Sequence, residues 1–479
     1  MAKEILINIE PRQKRVAIVN NGRLEEFYIE RPSDKTIVGN IYKGIIEAVV
    51  PSIGAAFVDI GLPKKGFLYL SEIESAYESS DSPLSKPQEV KKGQEILVQV
   101  VKEQFGTKGP RISCHTGLAG RYLVMMPQDQ QIGISRRIED DEERRRLRQI
   151  LAELRLPKNI GFIVRTAAFG MSKKELLRDA HFLIKLWKRL ERTMRQKRPP
   201  SLIYEEYDLS FRAIRDSFTE DVSKLIVDSK DEYYRIMRFV KTFLGYLAPR
   251  IELYKGDDLF ISKDVERQVS RIFEPMVHLK SKSYLVIEPT EGLVVIDVNS
   301  GGFKDKISQE DAAFKVNCEA ATETAHQLKL RDLGGIIVID FIDMEKEGHR
   351  RHVLDTLKHA LRSDKAKYDI LGISKFGLVE MTRERIHNTV QTLSFQACPY
   401  CQGRGKVKSA LTVSIDALKE LKKYLKEKTH KEVSLFLNPV VVDEILKHKE
   451  HIRFIERKFG TKVNLISNPA LHIEDIRIS

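Results

Sequence analysis

A multidomain α/β architecture is what this sequence predicts, and three observations predict it. Two apolar, strand-like segments, 292–301 (GLVVIDVNSG) and 334–341 (GGIIVIDF), each end on an aspartate, and helical patterns over about 308–330 and 348–362 alternate with them. That order is the mark of mixed α/β layers around a sheet. Short strands punctuated by glycine fill 37–73 and resume at 96–101, a spacing that suits a small barrel. At 479 residues the chain is too long for a single core.

The elements follow in order. Residues 5–9 and 15–19 read as strands, and Asn21-Gly22 supplies the residues of a two-residue hairpin turn. The barrel region carries Gly39, Gly44, Gly54, Gly61 and Gly66, and the Ser- and Pro-rich stretch 79–87 reads as a flexible loop. A helix over 141–155 places Leu147, Ile150, Leu151 and Leu154 on one face before Pro157. A longer one starts at Ser172, where Ser172-Lys173-Lys174-Glu175 is a capping box, and runs to Pro199-Pro200. Its far end carries Lys185, Lys188, Arg189, Arg192, Arg195, Lys197 and Arg198, either a solvated face or an RNA contact. After about 406 a Lys-rich helix opens a small α/β appendage.

Lys and Arg outnumber Asp and Glu by 13, which favours polyanions. No apolar run reaches the roughly 18–20 residues of a membrane span, and the start lacks the apolar stretch of a secretory signal. Four cysteines do not make a disulfide framework, so a reducing cytoplasm is expected. Nucleophile-elbow, Walker and dinucleotide-binding motifs are all missing from the sequence.

Four groups of residues remain as candidates for chemistry. Asp297 and Asn299 are two apart on a strand and share a side of the sheet, and Asp340 ends the next strand; two such carboxylates can share one hard cation such as magnesium. The bland reading of either Asp is a loop cap, and Asp343 has no defined direction. Cys398-Pro399-Tyr400-Cys401, followed by Gly403 and Gly405, is half of a zinc knuckle. Histidines could complete it, or two chains could each give two thiolates; a redox dithiol is the rival, though no thioredoxin-like βαβ arrangement is read around it. Phe57, Phe67 and the loop residue Lys108 could form a stacking platform for single-stranded bases, or the two rings could be core. Arg165-Thr166 at a strand end could fork onto a phosphate.

Taken together, several segments resemble the ribonuclease E/G family of bacterial endoribonucleases: 296–300 (IDVNS), 327–344 (QLKLRDLGGIIVIDFIDM), 376–383 (FGLVEMTR), 398–401 (CPYC), 54–61 (GAAFVDIG) and 161–166 (GFIVRT). The length is nearer to the short, ribonuclease G-type members. The resemblance implies an RNase H-like domain split over 1–35 and 211–273 around two insertions. These are an OB-fold RNA-binding barrel of the ribosomal S-one type (36–114) and a sensor of the RNA 5′ end (115–210). A DNase-I-like catalytic domain (274–394), a zinc-link (395–406) and a small dimerisation domain (407–479) would follow.

It also implies roles. Asp297 and Asp340 match magnesium ligands and Asn299 their polar partner. Cys398 and Cys401 match thiolates that share one zinc between two subunits. Arg165 and Thr166, with backbone at Gly120 and Val124, match a grip on a 5′ monophosphate, and Phe57, Phe67 and Lys108 match the RNA-binding surface of the barrel. Lys367 stands where some members have an Arg, which removes a bidentate fork. The expectation is a magnesium-dependent endoribonuclease acting on single-stranded, 5′-monophosphorylated RNA in rRNA maturation and mRNA decay, as a homodimer or homotetramer. The alternative is a non-catalytic RNA-binding or scaffold protein.

Overall fold

The computed structural model describes the chain except residues 1–2, 33–35, 74–89, 104–108, 128, 130–131, 154–159, 291, 303–307, 363, 375, 386–393, 397 and 428–429. Lys108, Leu154 and the 79–87 stretch therefore lie outside the described residues. The chain divides into two units, Met1–Leu393 and Ser394–Ser479.

The first unit is built on four sheets. One has the strand order Ile251–Leu253, Val222–Val227, Lys3–Glu10, Gln13–Asn20, Arg23–Glu30. Asn21 and Gly22 both have positive φ, 50° and 80°, so the predicted tight turn joins two of its strands. Both faces of this sheet are covered. Ile5, Ile7, Val16 and Ile18 pack with Ile214, Phe218 and Ile236, and Leu6, Ala17 and Phe27 pack with Phe260 on the other side. Lys3–Glu10 pairs in parallel with Val222–Val227, so the segment after Arg23–Glu30 and before Val222 is inserted into this sheet's connectivity.

The first insertion is a five-stranded barrel of Ile41–Val50, Ala55–Asp59, Gly66–Tyr69, Glu95–Lys102 and Arg111–Ser113. Pairing of Ile41–Val50 with Glu95–Lys102 closes it. Ser201–Tyr204 adds alongside Ile41–Val50. The second insertion is a four-stranded sheet, ordered Ile132–Ile134, Gly161–Val164, Leu123–Met126, Leu118–Ala119. Leu147 and Leu151 of the helix Asp141–Glu153 and Leu176, Leu183 and Trp187 of the helix Lys173–Gln196 share its core. The capping box at Ser172 forms in full, satisfying N–H groups that the first helical turn would leave orphaned.

The fourth sheet has six strands, ordered Met276–His278, Tyr284–Pro289, Leu293–Asn299, Gly335–Asp340, Leu378–Arg383, Tyr368–Ile373. The helices Gln309–Leu330 and Glu347–Leu361 pack on the face lined by Ile296, Ile337, Ile339 and Val379. On the opposite face Asp297, Ile336, Asp340 and Glu380 are exposed. At its base the buried Arg383 donates to Asp364 at 2.7 Å and to Asp332 at 2.9 Å.

This domain is tied to the first sheet through Glu323. Its carboxylate accepts from Arg23 at 2.5 Å, and His326 Nε2 meets the Leu24 carbonyl at 2.8 Å. Burial opposes ionisation, yet His326, Gln327 and Arg23 hold Glu323 down at about 2. A depressed carboxylate contributes stability above its ordinary range and loses it as pH falls. Glu323→Gln is therefore expected to cost about 1–3 kcal/mol at neutral pH. In urea titrations the gap between variant and wild type should narrow as pH drops from about 5 toward about 3; a gap independent of pH would contradict the assignment.

The second unit packs the helix Ala410–Glu427 and the helices Pro439–Lys447 and Lys449–Phe459 around a three-stranded sheet. Its strands Glu432–Leu437 and Lys462–Ser467 run parallel, joined through two helices. This corrects the expectation that no βαβ arrangement accompanies the cysteine pair. Its first strand starts some thirty residues after Cys401, too far to be read with the motif. The cysteines themselves lie in a turn ahead of the first helix, not at a strand end.

Candidate active site

The parallel pairing of Leu293–Asn299 with Gly335–Asp340 sets Asp297 directly beside Asp340. Both carboxylates are exposed on the open face of the sheet. Asn299, two residues on and on the same face, donates its Nδ2 to Asp297 Oδ2 at 2.7 Å and so fixes that carboxylate. Partial burial, then the like charges of Asp297 and Asp343, push the Asp340 carboxyl above its ordinary range. Among the described residues neither Asp297 nor Asp340 has a cationic partner. Two repelling carboxylates and a carboxamide fit a divalent cation that keeps water in its remaining positions.

Sequence reasoning missed the residue that positions the loop after Asp340. Asn317 is fully buried, donates to the Ile342 carbonyl at 2.7 Å and accepts from the Ile342 N–H at 3.0 Å. That two-point clamp holds the segment between Asp340 and Asp343. Its only sequence signal is a polar residue among the small and apolar residues of the helix's inward face, a signal that Thr324 and Gln327 share.

Phe57 and Phe67 sit opposite each other on paired strands, edge to face at 6.0 Å, and Phe67 meets Tyr69 at 5.0 Å. Their neighbours Ala56, Val58 and Leu68 fill the barrel, so the rings line its outer face, half-buried rather than core. The Arg111 guanidinium lies 4.9 Å from the Tyr69 ring centre and extends the row with a cation. Neither Tyr69 nor Arg111 was read from the sequence.

Arg165 follows the strand Gly161–Val164. Its Nη1 donates to the Gly120 carbonyl at 2.6 Å and its Nη2 to Asp216 Oδ1 at 2.6 Å. The guanidinium is thus fixed by a partner 51 residues away, which the local motif could not show. Burial works against the Asp216 charge, but Arg215 and Arg165 hold its carboxyl below the usual range. Thr166 Oγ1 lies 3.0 Å from Ser135 Oγ. A side chain at Gly120 would meet Asp179 at 2.6 Å, and Asp179 accepts from the backbone N–H groups of Arg121, Tyr122 and Leu123. Glycine there lets the loop wrap the carboxylate. Val124 lies opposite Ile163 on the paired strand. Lys367 is exposed, just beyond Lys365, whose carbonyl accepts from Arg137 of the same insertion. Its side chain makes no hydrogen bond or ion pair among the described residues.

In the second unit the backbone N–H groups of Cys401 and Tyr400 hold the Cys398 thiol below its ordinary range. The Gly405 N–H points at Cys401 Sγ, 3.3 Å away. The adjacent imidazole is spent: His472 Nε2 meets the Tyr400 carbonyl at 2.7 Å, and its Nδ1 accepts from the Glu474 N–H at 3.1 Å. Among the described residues, no three His, Cys, Asp or Glu converge on one metal position.

A family model described as Ribonuclease E/G family matches residues 117–386. The chain belongs to that family. Two further models of this ribonuclease E/G member match, an S1 RNA binding domain at 35–115 and an RNase E/G, Thioredoxin-like domain at 397–479. Ribonuclease G of Escherichia coli K12 is 37% identical over 489 aligned residues, covering 100% of this chain and 99% of the relative. Ribonuclease G of Haemophilus influenzae is 39% identical, covering 97% and 96%. Ribonuclease E of H. influenzae is 37% identical over 98% of this chain but 51% of its own length. The match at 35–115 coincides with the closed barrel, and that at 397–479 with the second unit. Among the described residues no helix is long and apolar enough to cross a membrane.

Proposed function

We propose that this ribonuclease E/G member is a magnesium-dependent endoribonuclease that cuts single-stranded RNA and prefers a 5′ monophosphate, acting in rRNA maturation and mRNA decay in the cytoplasm. The observation that carries the reading is the register that sets Asp297 beside Asp340 with no counter-cation among the described residues. The labels of a split RNase H-like domain, a DNase-I-like catalytic domain and a zinc-link belong to this same reading.

The geometry supports the following roles. Asp297 and Asp340 would hold the cation, and Asn299 would orient the Asp297 carboxylate through its hydrogen bond. Asn317 keeps Asp340 and Asp343 in place by clamping the intervening loop. A bound magnesium supplies an activated water and offsets charge building on the scissile phosphate. Because Asp340 keeps its proton to a higher pH than an ordinary carboxyl, metal binding and cleavage should fall off early on the acid side. The outer row of Phe57, Phe67 and Tyr69, with Arg111, offers ring faces for bases and a cation for phosphate. Single-stranded RNA labelled at both ends should give internal fragments; a ladder of mononucleotides from one end would overturn the reading.

At the second insertion, Arg165 and Thr166 would take a terminal 5′ phosphate, with the Gly120 and Val124 backbone beside them and Lys367 as a further cation. Arg165 is already oriented by Gly120 and Asp216, so binding need not order it. Arg165→Ala is expected to slow cleavage of monophosphorylated RNA by roughly tenfold or more, from about 1.5–3 kcal/mol for a bond to a charged group. Hydroxyl-ended RNA should be cut at an almost unchanged rate. Equal slowing of both substrates would make Arg165 a structural residue. In the second unit, Cys398 and Cys401 would hold half of a tetrahedral zinc whose other two thiolates come from a second copy. The engagement of both His472 nitrogens supports that over completion by this histidine.

A further inference from the structure

The helix Lys173–Gln196 buries one face in the core of the second insertion, and a second face borders a groove of about 780 Å³. Arg178, His181, Phe182, Lys185 and Arg189 line it at spacings of three and four residues, which keep them on one stripe. The facing wall is aromatic. Tyr207, Phe211 and Phe239 form a cluster with ring centres 4.9–6.0 Å apart, each half-buried. Arg235 lies over the Phe211 ring at 5.1 Å.

The cations of the stripe are uncompensated. Lys185 and Arg189 have no acid three or four residues away on the helix, and they repel each other at i, i+4. Arg178 has Glu175, but that carboxylate is committed to Ser172 in the capping box. Among the described residues, none of the three forms an ion pair, whereas Lys173 at the start of the same helix bridges to Glu153 at 2.7 Å. Along the helix axis Arg178 and Arg189 are about 17 Å apart, room for more than one nucleotide. Ring faces below and the unpaired cations of the helix stripe, beside an Arg235 already bridged to Glu232 and Asp208, offer what a single strand of nucleic acid requires: stacking for bases and charge for phosphates. An acidic peptide would use the charge but not the ring faces.

We propose that this groove is a second track for single-stranded RNA, separate from the barrel surface, the 5′-phosphate grip and Asp297–Asp340. It rests on the reading of the protein as acting on RNA. The test is binding of a 5′-hydroxyl single-stranded RNA in EDTA, so that neither cleavage nor the 5′ grip contributes. The variant K185E/R189E should weaken binding at least about tenfold and lower the slope of log affinity against log salt by about 1.4, for two phosphates released. The control K188E/R192E has the same charge change on exposed residues off the groove lining and should lose less than about threefold. In wild type, RNA carrying 4-thiouridine should crosslink to peptides containing Tyr207, Phe211 or Phe239. Equal losses in both variants, or crosslinks confined to the barrel, would overturn the track. If wild type cuts this RNA in magnesium while K185E/R189E binds it normally, the track alone fails. If wild type neither binds nor cuts it, the proposed function fails as well.

Discussion

Asp297→Asn and Asp340→Asn are each expected to lower cleavage of single-stranded RNA by on the order of a thousandfold, with RNA affinity within about threefold of wild type. The size of the effect follows from where these groups act. They face each other across one strand pair on the open face of the sheet, and a shared cation would meet the phosphate only as charge builds on it. On the proposed reading, ground-state binding would come from other surfaces, such as the outer rings of the barrel. Loss of stability cannot imitate this result. Each substitution removes a carboxylate from a repelling set, so the thermal midpoint without metal should hold or rise. A variant that cuts near the wild-type rate would move the active site elsewhere; one that loses affinity in proportion to rate would make these residues binding groups.

Cys398→Ser or Cys401→Ser should abolish bound zinc and separate the subunits. Wild type should carry half a zinc per chain, because this chain offers two thiolates and the neighbouring His472 has both ring nitrogens engaged. Structural zinc in small sites is worth about 10–16 kcal/mol of apparent binding, so one lost ligand per chain, two per site, should empty it. Elemental analysis with light scattering reads both effects. One full zinc per chain, or an unchanged oligomer in the zinc-free variant, would contradict a shared site. The other two cysteines are poor substitutes: burial pushes the Cys114 thiol up to about 12 and that of Cys318 upward as well.

The candidate site was legible where its logic is local. A period of two puts Asp297 and Asn299 on one side of a strand, and the apolar run before Asp340 marks the neighbouring strand end. The same period, with Ala56 and Val58 turned inward, explains why Phe57 faces out, but the sequence alone left core and surface open. What could not be read comes from partners far apart in the chain. Asp216 orients Arg165 from the helix Leu209–Ser217, Asn317 clamps the Asp340 loop from the helix before it, and His472 reaches the Cys398–Cys401 turn across 72 residues. The parallel pairing of Lys3–Glu10 with Val222–Val227 is the same case at the level of the fold for periodicity alone; only the family resemblance joined 1–35 with 211–273. Periodicity reveals which face of a strand is buried but not which distant strand lies beside it.

The central claim is metal-dependent cleavage at Asp297 and Asp340, and one incubation tests it most directly. Purified protein is mixed with a 5′-monophosphorylated single-stranded RNA in magnesium, in EDTA, and in EDTA followed by excess magnesium. Internal cleavage should occur in the first, stop in the second and return in the third. Cleavage that persists undiminished in EDTA, or none in any of the three while the RNA stays bound, would contradict it.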